Sequence, residues 1–218
     1  DRWLAIQTID VRAASAVSAP DIERAARESI EKNTIGRRNI AGMSSGALRG
    51  ALLDRFPALS GVHAERDFFS RRLIITAEER TAWAEWCTSN ECVYADKDGV
   101  AFAPVPEFSE NPILHINDSG APAVSLGSAV RNPSEVSVIQ TFIRSVGSLG
   151  IDVGRVELLI GGEFDFITDT QWTLILDSKT DPEIAAANLA ALLAGPLKNQ
   201  KIDYIDLRLP EKAFYRLR

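Results

Sequence analysis

Apolar and polar residues alternate in three stretches of the first eighty residues and recur at helical spacing in two others. Alternation places successive side chains on opposite faces and predicts strands, whereas a repeat at i, i+3, i+4 and i+8 predicts an amphipathic helix. The apolar residues after Ser18 and those before Pro57 follow the helical repeat. The predicted elements are strand 4–12, a helix from Ser18, a helix from Ser44 or Ser45, strand 61–69 and strand 71–79.

Beyond residue 80 the pattern becomes mainly that of strands. Helices are expected to begin at Ser134 and at Asp181–Pro182, where a polar residue can cap the first turn. The stretch 103–133 contains five prolines and is predicted to be an irregular connector. The fold class is therefore α+β, with a β-α-α-β-β domain at 1–80 and a β domain at 81–218. The strands expected after residue 80 are 81–87, 92–104 with a turn at "DKDG", 154–162, and a hairpin of 164–169 with 171–178.

Charge supports the same boundary and excludes one function class. Residues 1–80 carry 13 basic and 11 acidic groups (+2), and the other 138 residues carry 11 and 19 (−8), which together give the net charge of −6. Nucleic-acid binders need a basic surface, so this class is excluded. The only methionine is Met43. We therefore expect the natural start to be missing, and an amino-terminal membrane helix before Asp1 fits that expectation.

The two cysteines, Cys87 and Cys92, are separated by four residues that suit a turn. Flanking strands would bring the thiols opposite one another, so a disulfide is geometrically easy. A reduced pair of small apolar residues is the alternative, and a zinc site would need ligands beyond the isolated His63 and His115. A disulfide would imply an oxidising, extracytoplasmic location.

No catalytic or phosphate-binding motif is present in the sequence, including G-x-S-x-G, H-E-x-x-H and G-x-G-x-x-G. With two histidines, a Ser-His-Asp triad would require a long-range coincidence. A carboxylate pair drawn from Asp165, Asp169 and Asp177 is possible, but charges on hairpins are mostly solvated. The "DKDG" turn lacks the further carboxylates of a calcium loop. We expect no enzyme, cofactor or metal, and interpret the chain as a binding module.

The last eighteen residues, Lys201–Arg218, alternate in two stretches joined by Pro210-Glu211. Pairing must match apolar faces, and a two-residue loop would mix them. A three-residue loop, 210–212, instead places apolar residues opposite one another. The predicted inward pairs are Leu209 with Ala213, Leu207 with Tyr215 and Ile205 with Leu217, and the outward pairs are Arg208 with Phe214, Asp206 with Arg216 and Tyr204 with Arg218.

The last strand then has one free edge, because nothing later in the sequence can cover it. Basic residues on an edge commonly protect against aggregation, which is one interpretation. Phe214 facing outward among arginines favours the other, in which a partner strand with acidic residues adds to the edge. The predicted partner-binding residues are Arg208, Leu209, Ala213, Phe214, Tyr215, Arg216 and Arg218.

Three motifs in order resemble the FtsQ/DivIB family of bacterial cell division proteins. The first is "FPALSGVHAERDFFSRRLIITAEERTAWAEW", which resembles the family's hydrophobic-Pro corner followed by a-x-V-x-R and L-x-I-x-V-x-E-R-x-x-x-A-x-W. The others are "YADKDGVAF", which resembles its v-D-x-x-G-x-x-F hairpin, and "YIDLRLP", which resembles its closing i-D-L-R-y. Departures are "DFFSRR" in place of an aromatic-Pro corner and Leu209 in place of an aromatic.

The resemblance implies a POTRA domain at 1–80, a β domain at 81–218 and a single-pass cell-membrane protein with an extracytoplasmic ectodomain. Such a protein is a non-enzymatic scaffold that recruits FtsB-like and FtsL-like partners, with contacts at Arg208, Leu209 and the strand 213–218. One alternative is a POTRA-bearing membrane-protein assembly or secretion factor, which predicts tandem POTRA units or a barrel. Another is an extracytoplasmic hydrolase, which predicts a cleft holding His63 or His115 beside a carboxylate and a serine.

Overall fold

The structure, a computed structural model, describes residues 5–12, 16–33, 43–89, 91–106 and 113–218. The chain is α+β and divides into two compact units, Asp1–Thr81 and Ala82–Arg218. Both sheets are mixed, and most strand pairs are antiparallel. The predicted loop at 34–42 lies outside the described residues, as do Leu4 and residues 107–112 of the predicted connector.

The first unit has the predicted order β-α-α-β-β. In its three-stranded sheet, the middle strand is antiparallel to one neighbour and parallel to the other. The elements are β1 (Thr8–Arg12), α1 (Ala19–Asn33), α2 (Ser45–Arg55), β2 (Leu59–Asp67) and β3 (Arg72–Glu79), with sheet order β1-β3-β2.

Local signals explain where the two helices of this unit begin. The Ser18 hydroxyl hydrogen-bonds the Asp21 carboxylate, and the Ser44 hydroxyl accepts from the N–H of Ala47 at 3.3 Å. Helices and strands enclose one apolar core, whose centre includes Ile22, Leu52 and Leu73, each fully buried. The strand predicted from residue 4 is shorter, because regular pairing with β3 starts at Thr8.

Among its described residues, the second unit contains nine strands in one sheet and two helices. Its sheet order is not the chain order, and three of its strand pairs are parallel. The elements are β4 (Ala84–Cys87), β5 (Cys92–Ala95), β6 (Ala101–Pro104), β7 (Leu114–Asn117), α3 (Pro133–Gly147), β8 (Val153–Leu158), β9 (Glu163–Thr168), β10 (Thr173–Asp177), α4 (Pro182–Ala194), β11 (Ile202–Leu209) and β12 (Lys212–Leu217), in sheet order β12-β11-β10-β9-β8-β7-β4-β5-β6.

The prediction of a purely irregular connector at 103–133 is wrong at β7. This strand is parallel to both β4 and β8 and fills the position between them in the sheet. Its partners come from residues 84–87 and 153–158, so its pairing is decided by distant parts of the chain. Ile116 at its centre is fully buried against the main core.

The helices α3 and α4 cover one face of the nine-stranded sheet, here called the helix face. Apolar residues of both helices and of eight strands form a single buried cluster, in which Phe142 and Phe166 stack edge to face at 4.8 Å. Asp181 caps α4 as predicted, accepting from the N–H of Glu183 at 2.9 Å. The cap of α3 is Asn132 rather than Ser134, because the Asn132 side chain accepts from the N–H of Ser134.

An ion pair in this unit joins a buried carboxylate to a partly exposed arginine. The Asp118 carboxylate is fully buried and accepts from Arg131 Nη2 at 2.6 Å and Nε at 2.7 Å. The indole N–H of Trp86 donates to the same carboxylate at 3.3 Å. The hydrogen bonds that Arg131 donates to the Asp118 carboxylate raise the pKa of the arginine. The pair ties the segment before α3 to the core.

Candidate functional site

The strand β12 lies at one end of the sheet order and pairs only with β11. In the part of the chain that the structure describes, no strand pairs with its outer side. The residues predicted to bind a partner therefore lie on or beside an edge strand. They are Arg208 and Leu209 at the end of β11, Ala213, Phe214, Tyr215 and Arg216 within β12, and Arg218 just after it.

The predicted register of this hairpin is wrong. Its loop has two residues, Pro210 and Glu211, because Leu209 is opposite Lys212 rather than Ala213. Two register shifts follow, one near Asp203 and one between Asp206 and Leu209. The observed pairs are Ile202 with Leu217, Tyr204 with Arg216, Ile205 with Tyr215, Asp206 with Phe214 and Leu209 with Lys212.

A side-chain hydrogen bond accounts for the second shift. The Asp206 carboxylate accepts from the backbone N–H of Arg208 at 3.1 Å and from its guanidinium Nε at 2.9 Å. The N–H of Arg208 is thereby satisfied without a partner on β12, as in a β-bulge. The bulge corrects the mismatch of faces that a two-residue loop would otherwise create, so Ile205 and Tyr215 share the helix face.

Backbone groups of alternate β12 residues point to the free edge. The N–H of Arg218 donates to the carbonyl of Lys201 at 2.9 Å, so Arg218 points its backbone toward β11. Successive residues of a strand point their backbone groups to alternate sides. The donors and acceptors that point outward are therefore those of Ala213, Tyr215 and Leu217, over a strand of six residues.

Both faces of β12 are largely uncovered. On the helix face only Ala213 packs against the core, whereas Tyr215 is 46% exposed and Leu217 is also exposed. The prediction that Tyr215 and Leu217 form buried inward pairs is thus wrong, because α4 covers β11 and does not bury these two side chains. On the other side Phe214 is 56% exposed, as predicted for an outward residue.

Three arginines of this edge already have partners in the second unit, and these partners differ from the predicted ones. Arg208 pairs with Asp206 at 2.6 Å and with Glu163, and its hydrogen bond lowers the pKa of Asp206. Arg216 pairs with Asp203 and lies over the Tyr204 ring at 5.1 Å. Arg218 donates to the carbonyl of Gln171. The predicted outward pairs were wrong because the register is shifted.

The sheet face opposite the helices, here called the polar face, carries a row of carboxylates that sequence reasoning did not identify as a group. Glu157 is opposite Asp165, and Ile175 links Asp165 to Asp206 in the same row. Burial raises the pKa of Asp165 to about 6, and Glu163 and Glu157 add to the effect. One Asp165 oxygen, Oδ1, is buried without a hydrogen-bond partner among the described residues. In the sequence of β9, Glu163 and Asp165 alternate with buried phenylalanines, and this alternation indicates that both carboxylates lie on one face.

Two cavities adjoin the hairpin. One of about 370 Å³ lies between α4 and the hairpin turn, lined by Asn188, Leu192, Pro210 and Ala213 among others. Asn188 Nδ2 donates to the carbonyl of Pro210 at 2.8 Å and so fixes the turn to α4. The other, of about 540 Å³, is lined by residues that include Trp172, Leu193, Leu197, Ile202 and Arg218. Both offer room for side chains next to β12.

Cys87 and Cys92 lie opposite one another on β4 and β5 and are joined as a disulfide, with their Cα atoms 4.0 Å apart. His115 Nδ1 lies 4.0 Å from Cys87 Sγ and 3.7 Å from the Glu85 carboxylate. His63 lies on β2, exposed, 3.3 Å from Glu65. Each histidine thus lies beside a carboxylate, and for His115 the neighbouring sulfur belongs to the disulfide.

The chain matches no protein-family model, and a search of curated proteins found no match either. Within the described ranges, no helix is both long and apolar enough to cross a membrane. The same ranges contain no group of three or more His, Cys, Asp or Glu side chains arranged to hold a metal ion. The edge strand and its surroundings are therefore the basis for a functional proposal.

Proposed function

We propose that this chain is the extracytoplasmic part of a single-pass cell-membrane scaffold of the FtsQ/DivIB kind. In this proposal it is not an enzyme, and it recruits FtsB-like and FtsL-like partners of the division complex by strand addition to β12. The observation that carries the proposal is that no strand among the described residues pairs with the outer edge of β12, and that β12 is exposed on both faces. A strand with three unpaired donor and acceptor positions is a ready template for another chain.

A comparison of the two ends of the sheet supports the choice of β12. The other edge strand, β6, has four residues and ends in Pro104, which cannot donate to a ladder. In contrast, β12 has six residues and no proline. Short strands and prolines are the usual protection of an edge, so β6 is protected and β12 is not.

The surroundings of β12 also favour specific recognition. Tyr215 on the helix face and Phe214 on the polar face would each be covered by residues flanking an added strand. The cavity between α4 and the hairpin turn could take a side chain of the partner. Backbone hydrogen bonds would then supply affinity, and these side-chain contacts would supply specificity.

The first unit is the proposed POTRA domain. Its element order, β-α-α-β-β, and its sheet order, β1-β3-β2, support the assignment that the sequence resemblance suggested. The alternative of an assembly or secretion factor predicts a second unit built in the same way. The second unit has a nine-stranded sheet instead, which favours the scaffold over that alternative.

The test is a calorimetric titration of the 218-residue chain with a soluble FtsB-like segment, comparing Tyr215→Pro with Tyr215→Ala. Proline removes one outward-pointing N–H, and alanine removes the side chain alone. We expect Tyr215→Pro to weaken binding about tenfold or more beyond Tyr215→Ala, since a lost hydrogen bond and a steric conflict act together. Phe214→Ala reports the contribution of the polar face.

Tyr215→Ala is the matched control, because it removes the same side chain and leaves the outward-pointing N–H of residue 215 in place. Equal affinities for Tyr215→Pro and Tyr215→Ala would show that the partner does not pair with this edge, and the proposal would then be abandoned.

A further inference from the structure

The turn between β2 and β3 exposes two aromatic side chains. Phe69 is as exposed as in an extended peptide, at 103%, and Phe68 is exposed as well. Isolated exposed apolar residues are ordinary, but two adjacent phenylalanines at the tip of a hairpin expose a large apolar area. This tip, residues Asp67–Arg72, is not used by the function proposed above.

The backbone of the tip is fixed by its own hydrogen bonds. The Asp67 carboxylate accepts from the N–H groups of Phe69 at 3.0 Å and Ser70 at 3.1 Å, and from the Ser70 hydroxyl. These bonds from Ser70 and Phe69 lower the pKa of Asp67. Arg71 has a left-handed backbone with φ of 54°. The tip is therefore a formed turn that directs Phe69 away from the domain.

The tip is basic. From Arg66 to Arg72 the sequence RDFFSRR contains three arginines and one carboxylate, and that carboxylate is engaged in the turn. Arg66 lies over the Phe68 ring at 5.8 Å, and Arg72 is exposed. Aromatic side chains bordered by arginines suit the surface of a membrane whose headgroups are anionic and whose interior is apolar.

The second unit contains a natural comparison. Ile160, in the turn between β8 and β9, is 94% exposed, and Leu159 beside it is also exposed. Residues 157–163, ELLIGGE, carry two glutamates and no cation. This tip is as apolar as the first but is acidic, so an anionic surface would repel it. The two tips both expose apolar side chains but differ in charge, so a comparison of them shows which of the two properties matters for binding.

We propose that the β2–β3 tip binds an anionic lipid surface, with Phe68 and Phe69 entering the headgroup region and Arg71 and Arg72 contacting lipid phosphates. The path of the chain is consistent with this orientation. The N–H of Gln7 donates to the carbonyl of Arg71 at 2.9 Å, and Thr8 is paired with Arg72, so the chain enters β1 beside the tip. A membrane anchor preceding β1, a step that rests on the proposed function, would place this end toward the bilayer.

The test is co-sedimentation of the 218-residue chain with vesicles of phosphatidylcholine, with or without about a third of phosphatidylglycerol. We expect binding to the anionic vesicles only, and weaker binding at high salt because screening shortens the reach of the arginine charges. Arg71→Gln and Arg72→Gln should each lower the partition coefficient about fivefold. The pair Phe68→Ser and Phe69→Ser should lower it about tenfold or more.

Ile160→Ser is the control, since it removes an equally exposed apolar side chain from an acidic tip and should leave vesicle binding unchanged. Wild-type chain that stays in solution with anionic vesicles at low salt would overturn the proposal. So would equal loss of binding in the Ile160→Ser and Phe69→Ser variants. Titration of the Phe68→Ser, Phe69→Ser variant with the FtsB-like segment should match the wild type, so that failure at this tip and failure at β12 are distinguishable.

Discussion

Asp165 has an environment that opposes its own ionisation. Its side chain is half-buried on the polar face, and its Oδ1 atom has no hydrogen-bond partner among the described residues. Burial raises its pKa from 3.8 to about 6, with further contributions from Glu163, Glu157 and Asp206, while Arg208 acts in the opposite direction. The perturbation of choice is Asp165→Asn, which keeps the shape and removes the charge.

The difference between 3.8 and about 6 sets the size of the effect. One pKa unit corresponds to about 1.4 kcal/mol, so the upper limit is about 3 kcal/mol. Solvent screens a half-buried group, and we expect about 1 to 2 kcal/mol after this correction. Because the folded state binds the proton more tightly than the unfolded state, stability falls as pH rises from about 4 to about 6. Above this range the wild type carries the full penalty.

The assay is urea unfolding of wild type and Asp165→Asn at pH values from about 4 to about 8, followed by tryptophan fluorescence. The variant should be more stable by about 1 to 2 kcal/mol at neutral pH, and the advantage should disappear near pH 4. Asp169→Asn, at an exposed position just after the same strand, is the control and should change little. An Asp165→Asn advantage that is absent at neutral pH, or equally large near pH 4, would refute the reasoning.

Three further changes test the second unit by urea or thermal unfolding. Asp118→Ala should cost about 3 kcal/mol, because it leaves Arg131 without its buried partner, and a cost below about 1 kcal/mol would contradict this. Gly99→Ala should cost about 1 to 3 kcal/mol, since φ is 72° and the new Cβ would lie 2.9 Å from α3; an unchanged midpoint would contradict it. Replacing both Cys87 and Cys92 by alanine should cost about 2 kcal/mol, and a reductant should destabilise wild type but not this variant.

Elements defined by local signals could be predicted from the sequence. The Asp181 cap and the Pro182 start predict α4. The alternation of Leu73, Ile75 and Ala77, which are all buried, predicts β3. A helix cap or an alternation of apolar and polar residues involves only a few neighbouring residues, so it can be recognised without knowledge of distant parts of the chain.

The strand β7 could not be predicted in the same way. It has four residues, lies in a proline-rich stretch, and owes its conformation to β4 and β8, which are far away in the sequence. Its sequence, LHIN, carries no turn or cap that would separate it from the surrounding connector. A short central strand of this kind is specified by its neighbours in the sheet and not by its own pattern.

The sequence predicts that β12 is an edge strand, but it does not predict the geometry of the hairpin. Matching whole faces led to a three-residue loop, whereas the Asp206 carboxylate satisfies the N–H of Arg208 and permits a bulge with a two-residue loop. Pattern matching assumes an uninterrupted ladder. A side chain that takes over one backbone hydrogen bond changes the register by one residue, and the sequence alone does not indicate where this occurs.

The same carboxylate also changes how the proposed partner would be recognised. Arg208 was expected to attract acidic residues of the partner, yet it is held by Asp206 and Glu163, and Arg216 is held by Asp203. Charges already paired within the sheet contribute little further attraction, because the adjacent carboxylate offsets the charge of each arginine. Recognition at β12 then depends on the outward backbone groups and on Phe214 and Tyr215. A partner would recognise such an edge through hydrogen bonds and apolar contacts, so its affinity for β12 should vary little with ionic strength.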